Sequence, residues 1–184
     1  MKNFAKLIKL TLLVATSTVM FSCSDDDNAA PESNTIAAIA SRNPNFTTLV
    51  AALDRAGLVQ TLDQNGPFTV FAPTNAAFND FLADNGFTSL NDIPVDVLRE
   101  VLLNHVVNGT NLSTSLSTGY VKTLGKGSAS DSNTLSMFVN TASGVRLNGV
   151  ASVTTADIVA SNGVIHVVDA VIGLPTVVTH AAAN

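Results

Sequence analysis

Apolar residues recur along this chain at two different periods. Phe46, Leu49, Val50 and Leu53 stand at i, i+3, i+4 and i+7, one stripe of a helix that Gly57 ends. Ile36, Ala37, Ile39 and Ala40 predict a shorter helix before it, closed near Asn43-Pro44, and Leu58, Val59 and Leu62 add a helical turn stopped at Asn65-Gly66-Pro67. Phe68 to Phe71 has strand composition, ended by Pro73. Thr74 is placed to cap the next helix, whose buried face is Phe78, Phe81 and Leu82 and whose stop is Asn85-Gly86. Pro94 suits a first helical position, and Val97, Leu98, Val101 and Leu102 repeat at helical spacing after it. His105-Val106-Val107 then leaves the helix, and Asn108-Gly109 turns.

From Tyr120 onward the period falls to two. Tyr120 to Leu124 alternates, and Gly125 to Asn133 is a polar loop. Leu135 to Asn140 and Val145 to Leu147 flank Ser143-Gly144, which signals a hairpin. Ala151 to Ala160 and Val164 to Ile172 flank Asn162-Gly163, which is expected to supply the positive φ angles of a tight turn. Helices followed by strands point to the α+β class, with helices gathered at one side of antiparallel sheets. No internal repeat is present, so one domain is expected.

Composition narrows the function. Of 184 residues, 46% are hydrophobic and only 12% charged, which excludes a disordered chain. The formal charge is −5; without Lys2, Lys6 and Lys9, which lie in the leader described next, six basic residues face 14 acidic ones, or −8. An acidic surface repels phosphate backbones, so nucleic acid is not an expected partner.

Those three lysines precede an uncharged, mostly apolar stretch, Leu10 to Phe21. At about a dozen residues it has the length of a signal-peptide core and falls short of the roughly 20 that span a bilayer. Met20-Phe21-Ser22-Cys23 resembles a lipobox, although Met20 and Phe21 depart from its preferred residues. Cys23 is the single cysteine and so has no internal disulfide partner. The expectation is that Cys23 is acylated and anchors the chain; the alternative is a leftover cysteine in a simple secretory signal. Asp25 to Asp27 reads either as a signal for export to the outer face of the outer membrane or as solvated linker. Residues 24 to about 33 lack apolar periodicity and read as a flexible tether.

Three segments together resemble the fasciclin (FAS1) family. Gly66 to Phe78 (Gly-Pro-Phe-Thr-Val-Phe-Ala-Pro-Thr-Asn-Ala-Ala-Phe) is similar to its first signature, and Asp157 to Asp169 to its second. Leu102 to Val107 is similar to the central motif between them. The resemblance covers about residues 34 to 176. It implies a two-sheet β wedge decorated by helices at one side, and extracellular adhesion or matrix binding without catalysis. The family's tyrosine before the central histidine is Asn104 here, which takes the aromatic ring out of any adhesive role carried over to Asn104 and His105. A second adhesive segment of animal relatives ends in an Asp-Ile pair, matched by Asp157 and Ile158, although Thr155-Ala156 departs from the animal pattern. The competing reading is that Asp157 satisfies backbone amides and Ile158 is core. The expected division is a lipoprotein signal peptide at 1–22, a tether at 23–33, a fasciclin domain at 34–176 and a tail at 177–184.

The polar residues give catalysis no positive support. His105, at a helix-to-strand junction, and His166, mid-strand between Ile165 and Val167, read as satisfied structural histidines, and His180 lies in the tail. No histidine pair has metal-ligand spacing, and no nucleophile elbow or phosphate-binding glycine loop occurs. No cofactor, no metal and no enzymatic activity are therefore expected. The leading function is a monomeric, lipid-anchored module on the outer membrane, surface-exposed, that binds a surface protein, a glycan or a matrix polymer. Ser113 to Ser117 and Gly125 to Asn133 are candidate contact loops. The alternatives are an accessory protein of the periplasm or outer membrane that holds a small ligand, and a structural subunit of an envelope assembly.

Overall fold

The computed structural model describes residues 33–64, 66–127 and 132–174. The signal peptide, Cys23, the tether up to residue 32 and the tail with His180 all lie outside the described residues. No helix among the described residues is long and apolar enough to cross a membrane.

The helical stripes fold as spaced. Helix α1 spans Ile36–Arg42, α2 Thr47–Arg55 and α3 Val59–Asp63, with a 3-10 turn at Pro44–Phe46 carrying Phe46 into the core. Thr35 caps α1 and Thr74 caps α4 (Asn75–Asp84); each hydroxyl accepts a first-turn amide, Ala38 at 3.3 Å and Ala77 at 3.2 Å. Gly86, at φ +71°, closes α4. Helix α5 spans Val95–Leu103, so Pro94 is its N-cap and not its first residue. Leu98, Val101 and Leu102 form its buried stripe, whereas Val97 is 44% exposed. The pattern had put Val97 in that stripe. One residue before Leu98, it is rotated 100° from that position and falls off the buried line.

The strands are β1 (Phe68–Pro73), β2 (Val106–Asn108), β3 (Gly119–Lys122), β4 (Ser136–Asn140), β5 (Arg146–Leu147), β6 (Ala151–Ala160) and β7 (Gly163–Val168). Their order is β2-β1-β7-β6-β5-β4-β3. All neighbours are antiparallel except β1 and β7, which run parallel from Phe68↔Gly163 to Pro73↔Val168. The sheet is thus mixed and not antiparallel throughout. The long connection from β1 to β7 can return in either direction, which a two-residue hairpin cannot. A bridge between Val107 and Thr123 joins the two ends of the strand order, so the sheet bends round on itself as a wedge.

Two apolar clusters follow from this. The larger packs α1 to α5 against one face of β1 and β7, through Val70, Ala72 and Ile165. The smaller fills the wedge with Phe71, Val107, Met137, Val139, Leu147, Ala151, Val168 and Ile172. Strands β1 and β7 therefore send alternate residues into both, and β7 is buried on both faces.

The Asn-Gly pairs of the last two hairpins differ. Asn148 (φ +50°) and Gly149 (φ +69°) form the β5–β6 turn with both central residues left-handed, as a primed hairpin turn requires. Asn162 has no positive φ, contrary to the sequence expectation. The space at Gly163 (φ +151°) explains the glycine: a Cβ there would lie 1.9 Å from the Phe68 carbonyl oxygen. Asn162 instead works through its side chain. Its Oδ1 accepts the Ile36 amide at 2.9 Å, and its Nδ2 donates to the Leu62 and Gln64 carbonyls at 2.8 Å each. One carboxamide thus ties α1, the end of α3 and the β6–β7 hairpin together.

Candidate functional site

Asn104 and His105 follow α5 directly, and each is 2% exposed. The Ile172 amide donates to His105 Nε2 at 2.9 Å. An amide can only donate, so Nε2 is the bare nitrogen, and Nδ1 carries the proton it gives to the Val101 carbonyl at 2.7 Å. Desolvation outweighs that hydrogen bond and pushes the His105 pKa down to about 4, so the ring is neutral. Asn104 Oδ1 accepts from the Thr123 hydroxyl at 3.2 Å, and its Nδ2 faces the Ile172 and Gly173 carbonyls at 3.5 and 3.4 Å. The approach is close: a Cβ on Gly125 would lie 2.9 Å from the Asn104 amide nitrogen. Asn104 and His105 are thus a buried clasp between α5, the end of β3 and the segment after β7. Direct contact with a partner would need that last segment to move away.

Asp157 and Ile158 lie in the middle of β6, where the register with β7 shifts. Asp157 adopts φ +61°, a left-handed conformation that Asp tolerates better than most residues. This points its carboxylate at the segment joining β2 to β3, where it accepts the Ser113 amide at 2.8 Å and the Ser113 hydroxyl. The Ser113 hydroxyl, then the Ser113 amide, hold the Asp157 pKa below its usual value. Ile158 is half-buried against the helical core, opposite Ile165.

His166 completes this second cluster. It is fully buried and stacks on Phe71 with ring centroids 5.4 Å apart. The Asp157 amide donates to its Nδ1 at 3.2 Å, so Nε2 holds the proton and donates to the Asn111 carbonyl at 2.8 Å. Buried Thr69 finishes the tie: its hydroxyl donates to the Gly109 carbonyl at 2.6 Å and accepts the Asn111 amide at 2.8 Å. The 109–113 segment is thereby strapped across β1, β7 and β6. Ser113, at the start of one candidate contact loop, is part of that strap, so its hydroxyl is not free. Much of the other loop, 128–131, lies outside the described residues.

The structure therefore keeps the four candidate residues in two separate clusters. Thr69, Asn111, Ser113 and Thr123 join them without having been singled out as partners, because no spacing in sequence relates Thr69 to Asn111 or Asp157 to Ser113. Among the described residues no group of three His, Cys, Asp or Glu is placed to hold a metal ion.

The architecture is an α+β wedge, with a helical layer on one face and its buried polar side chains bonded largely to backbone. The chain belongs to the fasciclin family: the fasciclin domain profile matches residues 44–175. It is 40% identical over 144 residues to Protein sll1483 of Synechocystis, covering 78% of this chain and 76% of that protein. It is 30% identical over 142 residues to the rabbit transforming growth factor-beta-induced protein ig-h3, covering 74% of this chain but 19% of that much longer one. A FAS1 domain pair from the insect cell adhesion molecule fasciclin I superposes with a TM-score of 0.49 at 21% identity, covering 74% of this chain and 49% of that one. The family is associated with adhesion and extracellular matrix proteins.

Proposed function

We propose that this chain is a lipid-anchored binding module of the bacterial envelope that faces outward and adheres to a surface protein, a glycan or a matrix polymer, without catalysis. The observation that carries the reading is the use made of its polar groups. Both ring nitrogens of His105 and of His166 are bonded to backbone groups, and the Asp157 carboxylate holds a strap. A general base or nucleophile needs a lone pair or proton available to a substrate. In His105 and His166 both nitrogens are already occupied. Membership of an adhesion-associated family and the lipobox-like sequence before Cys23 support the same reading, since acyl chains anchor a protein by burying methylenes at about 0.8 kcal/mol each.

The test is protease treatment of intact cells, followed by a blot for the chain, with Cys23→Ala as control. Shaving of the wild type while a periplasmic marker survives, together with release of the Cys23→Ala chain from the membrane fraction, is the expected result. Protection until the envelope is opened removes adhesion to other cells, and a periplasmic accessory role then replaces it.

A further inference from the structure

The wedge leaves one sheet face that no other described element covers. Met137, Val139 and Leu147 are fully buried inside the wedge. By alternation, Phe138, Asn140 and Arg146 point outward from the same strands. The register sets Tyr120 opposite Phe138, Lys122 opposite Ser136 and Arg146 opposite Asn140. Tyr120 is 77% exposed, the most of any large apolar or aromatic residue in the described chain, and its ring lies 5.1 Å from that of Phe138 at 52°. An exposed tyrosine thus stands against a half-buried phenylalanine on the outer face of the sheet. Lys122 lies to one side and Arg146 to the other, both exposed. Strand spacing and rise put the two cations roughly 16 Å apart on the diagonal that crosses the aromatic pair.

The charge pattern says what this face fits. The chain is acidic, but among the described residues its acids lie mostly on the other layer: Asp54, Asp63, Asp80, Asp84, Asp92, Asp96 and Glu100 all belong to the helical elements. The arginines of that layer are occupied, Arg55 on the Leu90, Asn91 and Ile93 carbonyls and Arg99 on the Ala56 carbonyl. Asp169 at the rim of the strand layer accepts the Ser152 amide, and Asp157 is held by Ser113. Lys122 and Arg146 therefore give this one face a positive character on a negative protein, which both attracts and orients an anionic chain.

We propose that the outer face of β3, β4 and β5 binds an acidic polysaccharide, deepening the adhesion reading above, on which it rests. The exposed Tyr120 ring, backed by the tilted Phe138 ring, offers an apolar face to the carbon-rich side of a sugar ring. The two cations are spaced to take carboxylates a few sugars apart, and the Asn140 and Asn148 amides border the path for hydroxyl contacts. An extended peptide binding by strand addition would use the edge of β3, not the face that carries these side chains.

The experiment measures binding of the full chain carrying Cys23→Ala to polygalacturonate, to the same polymer with its carboxylates methyl-esterified, and to polyglutamate. Low and high salt are compared. The expected result is binding to polygalacturonate alone, weakened at least tenfold by 0.5 M salt. Tyr120→Ala weakens it at least fivefold and Lys122→Gln with Arg146→Gln at least tenfold. Val97→Ala, exposed on the helical layer, leaves it unchanged, and all variants stay folded, Tyr120→Ala losing no more than the roughly 1 kcal/mol of a cross-strand aromatic pair. Equal binding to polyglutamate overturns the glycan assignment, and equal binding to the esterified polymer overturns the charge reading. Unchanged affinity in both the tyrosine and the double variant overturns the site. If polygalacturonate does not bind at all, the proposal fails, and the wild type's retention on a cell-surface fraction shows separately whether adhesion survives it.

Discussion

Replacing Asn162 tests whether a single carboxamide holds the helical layer to the sheet. The residue is 8% exposed, and its side chain makes three hydrogen bonds, to the Ile36 amide, the Leu62 carbonyl and the Gln64 carbonyl. Asn162→Ala removes all three. A typical hydrogen bond contributes about 1 kcal/mol net, and a buried group left without a partner costs about 1–3 kcal/mol. The Ile36 amide is buried at the start of α1 and has no turn before it to bond with. The Gln64 carbonyl belongs to an exposed residue and can turn to water. The sum is a loss of about 3 kcal/mol, which for a domain of this size lowers the thermal midpoint by roughly 10 °C.

Asn162→Asp sharpens the test. The carboxylate still accepts the Ile36 amide, but its second oxygen now faces two carbonyl oxygens with no proton between them. Repulsion in a buried place then makes aspartate worse than alanine at pH 7, although it is closer in size to asparagine. Urea unfolding of the Cys23→Ala chain and its two variants, with midpoint and slope measured separately, reads the difference. A loss below about 1 kcal/mol in Asn162→Ala, or aspartate as stable as asparagine, would refute the claim that these three bonds hold the layer.

Three further perturbations address other parts of the fold. Gly163→Ala places a Cβ 1.9 Å from the Phe68 carbonyl oxygen, so β1 and β7 must part, and a loss of about 3 kcal/mol in urea unfolding is expected. His105 is held neutral with a folded pKa of about 4 against 6.5 when unfolded, so the unfolded chain binds the extra proton between those values. Stability therefore falls as pH drops from about 6.5 to about 4, by on the order of 3 kcal/mol, and urea midpoints for His105→Gln should show a shallower slope across that window. An identical slope would assign the pH dependence elsewhere. Asp157→Ala removes the acceptor of the Ser113 amide and hydroxyl, so amide exchange at Ser113 should quicken while that at Leu98 in α5 does not.

The helices were legible because their information is local. The stripe at Phe46, Leu49 and Leu53 and the cap at Thr74 each lie within one or two turns, and burial follows the period. The hairpin of Ala151–Ala160 with the strand after Asn162 was legible for the same reason, although that strand ends at Val168 and not at Ile172. The parallel pairing of β1 with β7 was not: its partners stand nearly 100 residues apart, and a strand buried on both faces carries no alternation to give its neighbour away. Asn162 misled because Asn-Gly is a turn signal whose usual cause is left-handed backbone, whereas here the glycine answers a close approach and the asparagine reaches a helix 126 residues earlier in the chain. Asp157 was visible as half of an Asp-Ile pair, but its left-handed backbone and its hold on Ser113 arise from a register shift that no residue type announces. Among the candidate residues, therefore, the sequence revealed identities and the structure supplied their uses.

That division bears on where binding can occur. Strands β1 and β7 are covered by helices on one side and by the wedge interior on the other, so their side chains are consumed in folding. Asn104, His105 and His166 belong to those covered regions, and a change in any of them acts on stability first. Strands β3, β4 and β5 are buried on the inner side alone. Their outward residues can vary without a packing cost, and an exposed tyrosine beside a phenylalanine brings the fold no core contact in return for the apolar surface it shows to water. Tyr120 therefore separates the two kinds of position: its loss should lower the unfolding midpoint by no more than the few degrees an exposed cross-strand aromatic pair is worth, about 1 kcal/mol, while weakening binding at least fivefold, whereas loss of His166 should lower the midpoint further whatever the partner.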